Sequence, residues 1–281
     1  MKFELLLFFT VNLFMHFAHT FLQFRGSIYS LKNASKTIIL VIGGVVGFLS
    51  GLLGKGGSAI TTPALQIFAG INPFAALASP LPATLPTTLS ASVAYSKENL
   101  INKRVVIISI LLGIPATFLG SFFSDWLGGN MLMILTAIFV LSLGVSFFLV
   151  TPAGSVTMNK ISFWKIATVA LSVGFLSGLL ANSGGVLFAP LFIRFFKMPT
   201  KQALASSLLV AAGLAIPGTI AHWYLGHINW QVVLLLSVSS IPFSYLGARV
   251  ALQLQNIVLE RIFGIMLIVF GGFDLWYSIV H

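Results

Sequence analysis

Two glycine clusters hold the residues in this chain whose types and spacing allow chemistry. They are Gly54-Lys55-Gly56-Gly57-Ser58 and Asn182-Ser183-Gly184-Gly185, and each interrupts a long apolar stretch. Glycine lets a backbone turn with positive φ and come close to a ligand. A helix restarting after each cluster, near Ser58 and near Gly185, begins with N–H groups that have no internal partner and with the positive end of its dipole. The chemistry this offers is anion binding by bare amides. Ser58, Ser183, Thr61 and Thr62 add hydroxyl donors beside those amides. Lys55 is open to two readings: a cation that complements an anionic solute within a span, or a side chain that snorkels to an interface. Asn182 stands at the equivalent position, so the two clusters are chemically unequal.

Other chemistries find less support. Gly54-Lys55 resembles part of a phosphate loop, but Leu49 occupies the leading glycine position and Gly56 follows the lysine. No paired carboxylates, His-Glu metal set or Ser-His dyad falls within a span, so no enzyme, metal site or cofactor is expected. His222 is a candidate for proton coupling, because imidazole titrates near neutrality; the alternative is an interfacial histidine. The stretch Ala75–Tyr95 carries Pro80, Pro82 and Pro86, which cannot sit in a regular helix interior. A kinked or partly unwound span follows, and Thr84 and Thr87 are candidates to line a substrate path. Ser206 and Ser207 are the candidates in its more regular counterpart. Gly47, Gly51, Gly54, Gly174 and Gly178 read as small residues for close helix packing. Asp125 and Asp274 read as interfacial, and no carboxylate stands well inside a span, which disfavours a cation carrier.

The elements that must hold these residues are membrane helices. Of the 281 residues, 58% are apolar and only 7% charged, and mean hydropathy is +1.04. A soluble fold of this length cannot cover its surface with so few charges, and there is too much to bury for disorder. The net charge of +10, from 15 Lys and Arg against 5 Asp and Glu, is read as loop charge of a membrane protein rather than a nucleic-acid footprint. With no cysteine, disulfides and thiolate sites are excluded. Residues 1–24 are expected to form a retained first helix, with a signal peptide as the alternative. His16 and His19 share a face of it and read as interfacial. A basic linker closes this region at residue 36. Residues 37–70 and 162–197 are too long for one crossing and are read as broken hairpins. Single spans are expected at 75–95, 103–124, 130–150, 201–223, 230–252 and 257–278.

The chain is duplicated at an offset of 127 residues. Gly47-Phe48-Leu49-Ser50-Gly51-Leu52-Leu53 falls without mismatch on Gly174-Phe175-Leu176-Ser177-Gly178-Leu179-Leu180. Gly57, Pro63, Asn102, Pro115 and Gly120 fall on Gly184, Pro190, Asn229, Pro242 and Gly247. Repeats thus occupy 37–150 and 151–281. Equivalent loops carry opposite charge. Lys97, Lys103 and Arg104 face a counterpart without Lys or Arg, whereas Arg194, Lys197 and Lys201 face residues 70–75, which have none. Arg249 and Arg261 likewise flank the counterpart of a loop at 125–130 that has none. By the positive-inside rule the two copies are inverted, each a broken hairpin plus three spans. Residues 25–36 are basic and break the pattern.

Gly47-Phe-Leu-Ser-Gly-Leu-Leu-Gly-Lys-Gly-Gly with Pro63, and Gly174-Phe-Leu-Ser-Gly-Leu-Leu-Ala-Asn-Ser-Gly-Gly with Pro190, resemble the TauE/SafE anion permease family over about residues 38–278. The resemblance implies a multi-pass transporter of the bacterial cytoplasmic membrane that exports sulfur-containing anions such as sulfite and sulfoacetate. The residues expected to hold the anion are Lys55, Gly56, Gly57, Ser58, Thr61, Thr62, Asn182, Ser183, Gly184 and Gly185. Lys55 departs from the family, which commonly has an apolar residue there. The competing readings are a small-anion channel, a transporter of a non-sulfur organic anion, and a non-transporting membrane partner protein. The expected partners are a small anionic solute and the lipid bilayer.

Overall fold

The computed structural model describes residues 31–54, 58–127, 129–149, 161–180 and 184–280. The first helix expected over residues 1–24 lies outside them. By internal contacts the chain divides into Met1–Thr37 and Ile38–His281, and the packing below is that of the second unit. Among the described residues there are eleven helices and no strand. The first half contains α1 (Leu31–Leu53), α2 (Ser58–Ala69), α3 (Pro73–Ala78), α4 (Pro80–Ser96), α5 (Lys103–Leu127) and α6 (Gly129–Leu149). The second contains α7 (Phe163–Leu179), α8 (Gly185–Arg194), α9 (Thr200–Tyr224), α10 (Trp230–Gln253) and α11 (Asn256–Val280). Helix α1 starts before the expected residue 37, because Lys32 to Lys36 include neither Gly nor Pro to stop it.

Among the described residues, four helical segments are long and apolar enough to cross a bilayer: Lys36–Leu53, Lys103–Ser124, Thr200–Tyr224 and Trp230–Gln253. Helix α2, with 12 residues, reaches about 18 Å at 1.5 Å per residue. That is short of a hydrocarbon core about 30 Å thick. Each stretch read as a hairpin holds one longer and one shorter helix: α1 and α2 with 23 and 12 residues, α7 and α8 with 17 and 10. The proline-rich stretch is split at Ser79 into α3 and α4, each opening on a proline, where the missing N–H costs nothing. Its counterpart α9 is continuous, as its single Pro217 permits. Asn102 and Asn229, matched by the repeat, are helix caps. Asn102 Oδ1 accepts from Val105 N at 3.2 Å, and Asn229 Oδ1 from Gln231 and Val232 N.

Helix starts and helix contacts recur at the same offset. Helices α8, α9, α10 and α11 begin 127 residues after α2, α3, α5 and α6. Contacts between the halves come in exchanged pairs, as across a two-fold axis. A methyl group on Gly51 would overlap the Ser244 carbonyl oxygen of α10, and one on Gly178 the equivalent Thr117 oxygen of α5. Gly247 meets Phe48 as Gly120 meets Phe175. The packing role expected for Gly47, Gly51, Gly174 and Gly178 is what the structure gives them: backbones touch there and no side chain fits. Asn102 N donates to Ser206 Oγ at 3.0 Å, and Asn229 N to Ser79 Oγ at 2.9 Å.

Directions follow from these contacts. Residue numbers rise together from Gly43–Leu236 to Gly51–Ala248, so α1 runs parallel to α10. They rise together from Ile110–Gly213 to Thr117–Gly218, so α5 runs parallel to α9. Along α6 and α11 they run oppositely, from Leu141–Gly271 to Phe148–Gly264. These two equivalent helices are antiparallel. The basic loops gather at one end of the bundle. Besides the Asn102–Ser206 bond, Lys201 Nζ donates to Leu252 O at 2.7 Å and Thr200 Oγ1 to Glu260 Oε1 at 2.6 Å. At the other end the loops lacking Lys and Arg meet, with the rings of Phe74 and His227 stacked 4.4 Å apart.

Candidate functional site

Halfway along the bundle lies a cavity of about 20 Å³, lined in part by Gly43 of α1, Thr61 of α2, Thr84 and Thr87 of α4, and Ser240 of α10. That is room for about one water molecule. All four hydroxyl residues are buried. Their hydroxyls are held in place: Thr84 Oγ1 donates to Pro80 O at 2.9 Å and Thr87 Oγ1 to Ala83 O at 2.7 Å. Thr87 Oγ1 and Ser240 Oγ lie 2.5 Å apart. Here three residues singled out from the sequence, Thr61, Thr84 and Thr87, come together. Ser240 was missed, because its repeat partner is Gly113 and a comparison of matched residues passes over it.

The equivalent place in the other half is filled. Phe188, Ala211 and Leu214 stand where Thr61, Thr84 and Thr87 stand, and Phe188 and Leu214 are fully buried. A Cβ on Gly113 would fall 2.8 Å from Leu214 Cδ2. The architecture is duplicated, but the polar cavity belongs to one copy.

The ends of the long hairpin helices lie toward opposite ends of the bundle. Gly54, with φ +65°, packs on Leu204, one turn into α9 at the basic end. Ser207 Oγ donates to Gly54 O at 2.6 Å. Ser206 and Ser207 thus tie the first hairpin and the 97–102 loop to α9, away from the cavity. Lys55, Gly56 and Gly57 lie outside the described residues, as do Asn182 and Ser183. Ser58 opens α2, and Thr62 in that helix is buried. At the second hairpin Gly184 has φ +72° and precedes Gly185, the first residue of α8. The Ser177 hydroxyl is buried beside Gly184 without a hydrogen-bond partner.

His222, only 2% exposed, lies at this second end. Its Nε2 is 3.4 Å from the Gly178 carbonyl of α7. Tyr95, its repeat partner, donates in the same way to Gly51 O at 3.0 Å. The two residues tie equivalent glycines, and His222 is buried among the helices. Its Nδ1 also meets Nδ1 of His227 at 3.0 Å, a partner not expected from the sequence. His227, with Asn72, Phe74 and Trp230, helps line a larger hollow of about 570 Å³. One carboxylate is more buried than expected: Glu260, one turn into α11, is 5% exposed. Among the described residues no group of three or more His, Cys, Asp or Glu stands ready for a metal.

The family model described as sulfite exporter TauE/SafE matches residues 39–273. A probable membrane transporter protein of Xylella fastidiosa is 28% identical over 86% of this chain and 97% of its own. The probable membrane transporter protein YunE of Bacillus subtilis is 26% identical over 84% of this chain and 96% of its own. The probable membrane transporter protein MJ0441 of Methanocaldococcus jannaschii is 23% identical over 82% and 92%. No solved structure matches the chain.

Proposed function

The chain belongs to the TauE/SafE sulfite exporter family of membrane transporters, and on that premise we propose that it exports small sulfur-containing anions, sulfite and organosulfonates such as sulfoacetate, by alternating access. The membrane is the bacterial cytoplasmic membrane. The two repeats are inverted, with the end carrying Lys103, Arg194 and Lys201 on the cytoplasmic side. Antiparallel packing of the equivalent helices α6 and α11 supports this, since an axis along the membrane normal would leave equivalent helices parallel. Gathering of the basic loops at one end supports it as well.

The observation that carries the transport reading is the paired broken hairpin. In lipid, an interrupted helix survives only where protein or water covers its unpaired backbone groups, and such breaks in equivalent positions of inverted halves mark transport sites. The anion is held first by the amides and hydroxyls of the first break, Gly56, Gly57 and Ser58 with Lys55. It then passes the cavity of Thr61, Thr84, Thr87 and Ser240. Neutral hydroxyls suit an oxyanion in transit, because each contributes a modest hydrogen bond and none traps the charge. Asn182, Ser183, Gly184 and Gly185 receive it at the opposite end, with His222 as the coupling residue. Sulfite exchange in proteoliposomes tests this. Gly57→Leu and Gly184→Leu are expected to lower exchange at least about tenfold, while the relative rates of other proteins in the same vesicles stay constant. Wild-type exchange in both glycine variants would remove the breaks from the site.

A further inference from the structure

We propose that the hydroxyls of Ser177, Thr117 and Ser121 form an oxyanion-binding station at the second break; this deepens the transport reading above and rests on it. Ser177, in the last turn of α7, is 1% exposed, and Thr117 and Ser121 of α5 are as deeply buried. Among the described residues none of the three side-chain oxygens has a hydrogen-bond partner. Such hydroxyls are uncommon, because their desolvation goes uncompensated. These three gather where α7 packs on α5. A Cβ on Gly178, next to Ser177, would overlap the Thr117 carbonyl oxygen and lie 2.7 Å from Ser121 N.

The other copy shows that the helix pairing does not require them. At the equivalent positions Ser50 is engaged in an interaction of its own, Ser244 Oγ donates to Ile241 O at 2.9 Å, and Ala248 has no hydroxyl. The surplus in the second copy is also aimed. Ser177 Oγ lies against Gly184, and a Cβ there would collide with it and fall 2.9 Å from Phe188 Cε2. Gly184 precedes α8, whose first amide, Gly185 N–H, has no partner within the helix and carries the positive end of its dipole. The hydroxyl and the helix start thus bring donors from two elements to one place, and the oxygens of an oxyanion accept from both. Thr117 extends the donors toward the cavity. A Cβ on Gly218 of α9 would lie 3.7 Å from Thr117 Cγ2 and 3.5 Å from Leu81 Cδ1, and Leu81 stands one turn before Thr84 in α4. The ligand is a small oxyanion held between α7 and α8 and passed along α5 between the second break and the cavity.

Equilibrium binding of [³⁵S]sulfite to the purified full chain in detergent reads the station, and sulfite exchange in proteoliposomes reads transport. Ser177→Ala is expected to weaken binding at least about tenfold, as loss of a hydrogen bond to a charged group does, and Thr117→Val at least about threefold. Ser50→Ala, the same change in the other copy of the seven-residue repeat, is expected to stay within about twofold of wild type. Thermal unfolding without sulfite separates a ligand role from a structural one. Ser177→Ala removes no hydrogen bond of the fold, so its Tm is expected to equal or exceed that of wild type. Wild-type binding in Ser177→Ala, an equal loss in Ser50→Ala, or a Tm several degrees lower in Ser177→Ala overturns the station. Wild-type protein that binds sulfite but does not exchange it overturns the transport reading and leaves the station standing. Wild-type exchange with binding indifferent to Ser177→Ala does the reverse, and neither binding nor exchange in the wild type overturns both.

Discussion

Thr87 and Ser240 carry the clearest division between architecture and chemistry. Each hydroxyl has a backbone carbonyl as well as the other hydroxyl within reach, so neither is needed to complete a fold that works with Leu214 and Gly113 in the equivalent places. Thr87→Val keeps the shape and removes the polar atom. Losing one hydrogen bond to the passing anion is worth about 0.5–1.5 kcal/mol, so sulfite exchange is expected to fall about 2- to 13-fold in Thr87→Val and in Ser240→Ala, with little change in Tm. Unchanged exchange in both variants would exclude the cavity from the path. The threonines were legible because proline-rich α4 is chemically unusual. Ser240 was not, because its environment is made by a helix 153 residues away in sequence. Ser206 and Ser207 were singled out by residue type; both are buried, Ser206 Oγ accepting from Asn102 N and Ser207 Oγ donating to Gly54 O.

At the scale of the element, the repeat made the helices legible. Their starts recur at 127 residues because caps, prolines and glycines recur, and those residues set where a helix can begin. The hairpins were legible from length, since residues 37–70 exceed one crossing. What the sequence could not supply was the depth of the breaks. Each glycine cluster interrupts an apolar stretch in the sequence; in the structure α1 runs on until Gly54 meets Leu204 near one end of α9, and α7 ends near the other. Depth is fixed by helix-to-helix contacts of glycine faces, which have no local signature. The ties between Ser206 and Asn102 N and between Ser79 and Asn229 N are interchangeable by the pseudo-symmetry. Ser206→Ala leaves a part-buried N–H unpaired and is expected to cost about 1–3 kcal/mol, and Ser79→Ala the same. Thermal unfolding of the two variants in one detergent checks this; a large drop for one and none for the other would show that the halves do not share their loads.

For the whole molecule, exposed apolar residues face outward along the helices, among them Leu111, Leu119, Leu234 and Val238, while Trp126, Trp223 and Trp230 stand at helix ends. That is the distribution a bilayer selects. The chain has no cysteine, so its sidedness can be read by single-cysteine labelling. Glu98→Cys and Gln255→Cys are expected to react from the cytoplasmic face, and Trp126→Cys and Tyr224→Cys from the opposite one; any mixed pair would break the inverted arrangement. The central claim is that two broken hairpins carry an anion across by exposing it to one side at a time. Counterflow measures this directly. Vesicles loaded with saturating unlabelled sulfite are placed in a trace of [³⁵S]sulfite at equal pH. A carrier accumulates label transiently above its equilibrium level and accelerates with trans sulfite, and that is the result expected here. Label that only approaches equilibrium, at a rate indifferent to trans sulfite, would contradict the account.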